Sequence, residues 1–210
     1  HAIEHFTKSL TIDSLYAGTY YYLAQCYDTL GNKKEALEAY NKARDFDQLR
    51  FRMSNDFNES LIQSHTENVV DIERTFQEHS RDGIIGYNLI LEHLHPNMQG
   101  YFLMAKAYSQ SMRKRRLLAT EEEWNRSDTI SDETLSQNKS ITYFDEACAQ
   151  IRIDMLTSNW PFPKRVQNIQ KTTDSITTIA EQVVRAQKTW EQGHVAAAEV
   201  FQQQGKLKNA

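Results

Sequence analysis

The stretch Thr19 to Gln48, TYYYLAQCYDTLGNKKEALEAYNKARDFDQ, constrains the fold more than any other segment. Apolar and small residues fall at Tyr20, Leu23, Ala24 and Tyr27, a spacing that draws one stripe along a helix. Gly31-Asn32 follows, and both residues tolerate the left-handed backbone that closes a helix C-terminus. A second stripe runs through Ala36, Leu37, Tyr40 and Ala43. Two amphipathic helices joined by a tight turn make an αα-hairpin. Helix breakers are scarce elsewhere too: seven Gly and three Pro in 210 residues predict a mainly α fold, with at most one or two short strands.

The order and spacing of Tyr20, Leu23, Ala24, Tyr27, Gly31, Ala36, Tyr40 and Ala43 resemble a tetratricopeptide repeat of about 34 residues. Small residues at such positions let helices approach closely, and aromatics fill the gaps beside them. Gln48 stands where the repeat usually carries Pro. One repeat earlier, Ala2 falls opposite Ala36 and Phe6 opposite Tyr40, so residues 1–12 read as the second helix of a preceding repeat. Near the other end, His194, Ala197, Ala198, Phe201, Gly205 and Ala210 keep the same spacings and read as the start of another repeat. Each half-repeat also reads as a generic amphipathic helix. The resemblance implies a concave groove for a peptide or protein partner.

Bulk properties narrow the function classes. A net charge of −4 leaves no basic surplus to neutralise phosphates, so no nucleic-acid partner is expected. No run of 18 apolar residues occurs, so no membrane-spanning segment is expected. Cys26 and Cys148 are the only cysteines and read as small buried hydrophobes rather than a disulfide framework. No cofactor is expected. The chain opens in mid-pattern without a Met and reads as an excised fragment.

The middle changes character. Ser54, Asn55 or Asp56 can cap a helix running to about His65. Val69 to Glu73, VVDIE, is β-branched and reads as a short buried strand. A loop with Gly83 and Gly86 follows. A helix then starts at about Met98, with Tyr101, Leu103, Met104, Ala107 and Tyr108 at helical intervals.

Between loop and helix lies Glu92-His93-Leu94-His95-Pro96-Asn97. Pro96 bars His95 from a helix interior. An acid three residues before a His can hold the imidazole in one tautomer and stabilise its cation, leaving a general base for a hydroxyl nucleophile. Two other readings fit the same residues. His93 and His95 form an H-x-H pair that can bind a metal with a carboxylate. Alternatively, this is a polar turn whose histidines cap the next helix.

The run LRFRMSNDFNESL, VVDIE, DGIIG and EHLHPNMQGYFLMAKA, from about Leu49 to Met112, resembles the last blocks of SGNH/GDSL-type serine hydrolases. It is most similar to a large bacterial group in which tetratricopeptide repeats are joined to, or inserted in, such a domain. By that resemblance His95 is the catalytic base and Glu92 its acid, where most of these enzymes have Asp. VVDIE is then the last strand of a parallel sheet. The Gly-Asp-Ser-type block and the oxyanion-hole blocks are missing from the sequence, so this chain alone is expected to be inactive.

Beyond this block, Arg113 to Arg116 is a basic cluster suited to a helix C-terminus. Residues 126–140 are polar and read as an exposed linker. A helix is expected from Ile141 to about Ser158, with Phe144, Ala147, Cys148, Ile151 and Met155, together with Leu156, on one side. Trp160 and Phe162, among prolines, end it and are expected to pack onto the core. A further helix is expected over 171–192, with Ile176, Ile179, Val183 and Ala186 facing in. The expected organisation is thus a repeat region over 1–50, a hydrolase-like region over 51–112, a helical connector over 113–189 and a partial repeat over 190–210.

Overall fold

The computed structural model describes residues 1–65, 67–160, 162 and 174–206. The protein is mainly α: the described residues form eleven α-helices and one 3-10 turn, and their only β pairing is a single bridge between Ile90 and Pro96. The chain divides into two compact units, His1–Ser127 and Asp128–Ala210.

The first unit opens with α1 (Ala2–Ile12), α2 (Ala17–Thr29) and α3 (Lys33–Asp45). The hairpin of α2 and α3 closes as its sequence dictates. Gly31 adopts φ +80°, its N–H donates to the Asp28 carbonyl, and the Asn32 N–H donates to the Tyr27 carbonyl. These are the two bonds of a Schellman cap, which satisfies carbonyls a helix end leaves open. Leu23, Ala24 and Ala36 are buried between the helices, and Tyr20, Tyr27, Tyr40 and Ala43 are half-buried around them. Phe6 of α1 stacks on Tyr22 of α2 at 5.9 Å between ring centroids.

The unit continues with α4 (Asn55–Ser64), α5 (Ile72–Glu78), a 3-10 turn (Arg81–Gly83), α6 (Met98–Lys114) and α7 (Glu121–Ser127). Here the expected strand at 69–73 is corrected. Ile72 and Glu73 are the first residues of α5, because the Asp71 carboxylate accepts the Arg74 N–H and caps a helix instead. Val69 and Val70 remain irregular. Phe76 of α5 then joins Leu89 and Leu103 in a small core. Ser54 does begin α4, but its hydroxyl donates to Asp56 rather than accepting a helix N–H. The half-buried Glu73 carboxylate ties three helices together: it pairs with Arg44 of α3 and accepts from Asn58 Nδ2 of α4 at 3.0 Å.

The second unit holds α8 (Asp132–Gln137), α9 (Tyr143–Thr157), α10 (Ser175–Val184) and α11 (Trp190–Gln203). Its core is Phe144, Cys148, Ile176, Ala180, Val183, Ala197 and Phe201. Gly193 is fixed by packing, since a Cβ there would fall 2.6 Å from the Phe144 ring. Only Gly lets α11 approach α9 so closely. Thr142 with Asp145 and Thr189 with Gln192 form complete capping boxes that start α9 and α11.

Several expectations differ here. The supposed linker contains α8, started by Ser131, whose hydroxyl accepts the Thr134 N–H. Met155 and Leu156 are exposed, because α9 buries the Phe144–Cys148–Ile151 face. Trp160 is exposed as well. Ala180 takes the buried place expected of Ala186. Ala186 lies beyond α10 in a left-handed cap at φ +58°. The expected helix over 171–192 is therefore two helices, and its first residues, 171–173, lie outside the described residues together with Pro161, Pro163 and Ala210.

Four helices end in the same cap: Gly31 and Gly205 occupy its left-handed position after α2 and α11, but Arg116 and Ala186 occupy it after α6 and α10. A side chain there costs about 1 kcal/mol that glycine avoids. Ala186→Gly is therefore expected to stabilise the second unit by about 1 kcal/mol. Gly31→Ala should cost a similar amount in the first. Urea unfolding midpoints at unchanged slope measure both.

Candidate acid–base site

The site is built by a short reversal of the chain between the 3-10 turn and α6. The Leu91 N–H donates to the His95 carbonyl and the Asn97 N–H to the Leu89 carbonyl, both at 2.8 Å. Ile90 and Pro96 sit opposite one another between these bonds. Theirs is the non-hydrogen-bonded position of an antiparallel pair, so the N–H that Pro lacks is not missed. Leu89 is buried against Phe76 and Leu103, which anchors one arm of the reversal to the core.

The other arm leads directly into α6. Asn97 caps it, its side-chain oxygen accepting the Gly100 N–H at 3.0 Å. The Asn97 amide nitrogen donates to the carbonyls of Tyr87 and Asn88 at 3.1 and 3.0 Å. Asn97, not a histidine, therefore caps the helix. Gly100 is the second requirement, since a Cβ there would meet the Leu89 carbonyl and lie 2.9 Å from the Pro96 side chain. Helix and reversal are held in contact by the absence of that carbon.

Glu92 to His95 form the tip. The Glu92 side chain is fully buried, 0% exposed, yet well supplied with donors. Oε2 accepts the N–H groups of His93 and Leu94 at 2.5 and 2.9 Å, and Oε1 accepts that of His95 at 2.9 Å. The His95 imidazole Nδ1 bonds to Oε1, and the His93 ring lies beside Oε2. Burial pushes the Glu92 carboxyl upward. The bonds from the His95 N–H, the His95 ring and the His93 and Leu94 N–H groups outweigh it, so the pKa is lowered to about 2.

A permanently ionised carboxylate accepts hydrogen bonds only, so the proton between Glu92 and His95 belongs to Nδ1. The neutral His95 ring then carries its lone pair on Nε2. The His95 side chain is 55% exposed, and Nε2 makes no hydrogen bond among the described residues. His93 is more enclosed, 28% exposed, with its ring edge-on to Phe51 at 5.0 Å. No group of three or more metal-ligating side chains occurs among the described residues.

A second acid–His pair has no signature in the sequence. His194 Nε2 of α11 lies 3.1 Å from Asp145 Oδ1 of α9, with the His194 ring edge-on to Phe144 and Trp190. The two residues are 49 positions apart, which no local spacing can reveal. Asp145 is also the acid of the α9 capping box, so this pair joins two helices rather than presenting a base.

The repeat-type residues lie far along the chain from the tip, on α2 and α3. Beside them, the exposed Tyr21 and Tyr22 form a continuous run with the half-buried Phe6 and Tyr40: Phe6–Tyr22, Tyr22–Tyr21 and Tyr21–Tyr40, with centroids 5.9, 5.7 and 6.0 Å apart. The Tyr40 hydroxyl is pushed up to about 12 by burial, with Asp28 and Tyr21 adding to the shift. No helix among the described residues is long and apolar enough to cross a membrane. Comparison with known protein families, curated proteins and solved structures finds no match.

Glu92 links the tip to stability through pH. Its carboxyl is depressed in the folded state from an ordinary value of 4.5 to about 2. The stabilisation is thus fully present above pH 4.5 and is lost as pH falls through about 2. Glu92→Gln should cost about 2 kcal/mol at neutral pH, the worth of a charge-assisted bond. It should also flatten the acid limb of a stability-versus-pH curve, as measured by urea unfolding.

Proposed function

We propose that residues 49–112 supply the acid–base half of an SGNH-type serine ester hydrolase, with His95 as general base and Glu92 as its orienting acid. The observation that carries this reading is the Glu92–His95 pair. The carboxylate fixes the Nδ1–H tautomer and directs the Nε2 lone pair outward on a half-exposed ring. A base placed in this way removes the proton of a serine hydroxyl as it attacks an ester carbonyl, then returns it to the leaving alcohol. Glu92 stabilises the imidazolium formed in between. The nucleophile and the oxyanion donors come from a Gly-Asp-Ser-type region outside these 210 residues.

The repeat-type hairpin supports a second, compatible role. The exposed run of Tyr22, Tyr21 and the half-buried Tyr40 offers aromatic area to an extended peptide at low entropic cost.

The hydrolase reading is tested with a p-nitrophenyl ester and a polypeptide that carries this chain together with the serine block. His95→Ala should lower turnover about 10²- to 10⁴-fold, the usual contribution of a general base. The 210-residue chain alone should show no turnover above buffer. Undiminished turnover by the His95→Ala polypeptide would overturn the assignment.

A further inference from the structure

We propose that the outer face of α6 is the docking surface for the region that carries the nucleophilic serine. The inference rests on the acid–base reading of Glu92 and His95. It adds to that reading the place where the serine-bearing region sits.

Helix α6 is apolar on two opposite sides. Gly100 and Leu103 are buried against Phe76 and Leu89. Met98, Tyr101, Ala105 and Tyr108 follow one another at steps of three, four and three, which puts them in one stripe on the other side. All four are exposed, Met98, Tyr101 and Tyr108 over 37%, 51% and 44% of their surface. From Met98 to Met112, about four turns of helix, Lys106 is the single charged residue. A helix with one face in water carries its charges on that face, whereas one that is apolar on both sides is suited to being covered on both. Tyr and Met are also residue types enriched where proteins meet.

The occupant is set by where the stripe begins. Met98 is the first residue of α6, three positions after His95. Leu94, directly before His95, is exposed, and so is Phe51, whose ring stands edge-on to His93. Exposed apolar side chains therefore continue from the stripe to the tip, on either side of His95 in the chain. A serine that gives its proton to His95 Nε2 must come within about 3 Å of it. The body that carries this serine then lies over the surface next to the tip, and that surface is Leu94 and the start of the stripe. One docked region thus accounts both for the uncovered apolar face and for the open ring of His95.

The test compares hydroxyl-radical labelling of the 210-residue chain with that of the polypeptide that carries it together with the serine block. Oxidation of Met98, Tyr101 and Tyr108, read by mass spectrometry, should be several-fold lower in the longer polypeptide. Equal labelling in the two would overturn the docking, and it would do so even where His95→Ala abolishes turnover, so the two readings fail separately. Labelling of the 210-residue chain that falls as its concentration rises would make a second copy the occupant and likewise overturn the proposal. The double variant Tyr101→Lys, Tyr108→Lys supplies the second arm. It should leave the urea midpoint of the 210-residue chain unchanged and lower p-nitrophenyl ester turnover by the longer polypeptide tenfold or more. A lowered midpoint in the 210-residue chain would assign the stripe to the chain's own packing and sink the docking role. A protected stripe alongside undiminished turnover by His95→Ala would overturn the acid–base reading, and with it the assignment of a serine to the docked region.

Discussion

The Arg44–Glu73 ion pair decides how the first unit closes. Arg44 is at the end of α3 and only 12% exposed, so its charge has left water and must be compensated. Burial pulls its pKa down, and the bonds to Glu73 and Asp45 more than reverse this. Glu73 in turn holds Asn58, and Asp45 accepts the Asn55 N–H at the start of α4. One guanidinium and two carboxylates therefore fasten the repeat-type hairpin to α4 and α5. Separating them would strand a buried charge, which costs far more than an exposed pair is worth. The hairpin is accordingly a structural member of the first unit and not an appendage. On the proposed reading, this is the frame on which the acid–base tip is carried.

Legibility in the sequence follows the range of the interaction. The α2–α3 hairpin, the starts of α4 and α6 and most of the buried side of α9 were readable because periodicity, helix-start residues and the Gly31 cap act within a few residues. VVDIE was misread for an equally physical reason. Its β-branched residues fit a strand only if a neighbour supplies a ladder, and the described residues offer none. Asp71 then wins by capping a helix that places Phe76 in the core. Trp160 and Ala186 were misplaced because burial depends on which face finds a partner, and no pattern within one helix states that. Arg44–Glu73 and Asp145–His194 join residues 29 and 49 positions apart, beyond any motif.

The two acid–His pairs show why such a pair is not in itself a site. In Asp145–His194 the carboxylate is occupied by Thr142 at the helix start, and the imidazole is enclosed by Phe144 and Trp190. Its contribution is to join α11 to the cap of α9. In Glu92–His95 the acid is buried and saturated while the ring is half-exposed. The difference lies in what remains available after the hydrogen bonds are assigned. A general base needs an oriented ring with an accessible lone pair, and the second pair presents the more exposed ring, 55% against 34%.

The Glu92 tip also shows how much of the proposed acid–base arrangement a chain can form from local interactions. Three backbone N–H groups within three residues of the acid satisfy a buried carboxylate that would otherwise be too costly to ionise. Asn97 and Gly100 hold the reversal against α6 with equally short reach. Nothing in this network requires a sheet or a nucleophile to be present. On the proposed reading, an acid–base pair built in this way is preorganised before its serine arrives, and preorganisation is what makes such a pair useful in the transition state. The strand-like VVDIE has the opposite dependence, because its pairing can come only from elsewhere. Local hydrogen bonding therefore preserves the proposed chemistry of residues 92–97 under conditions where the expected sheet leaves no trace.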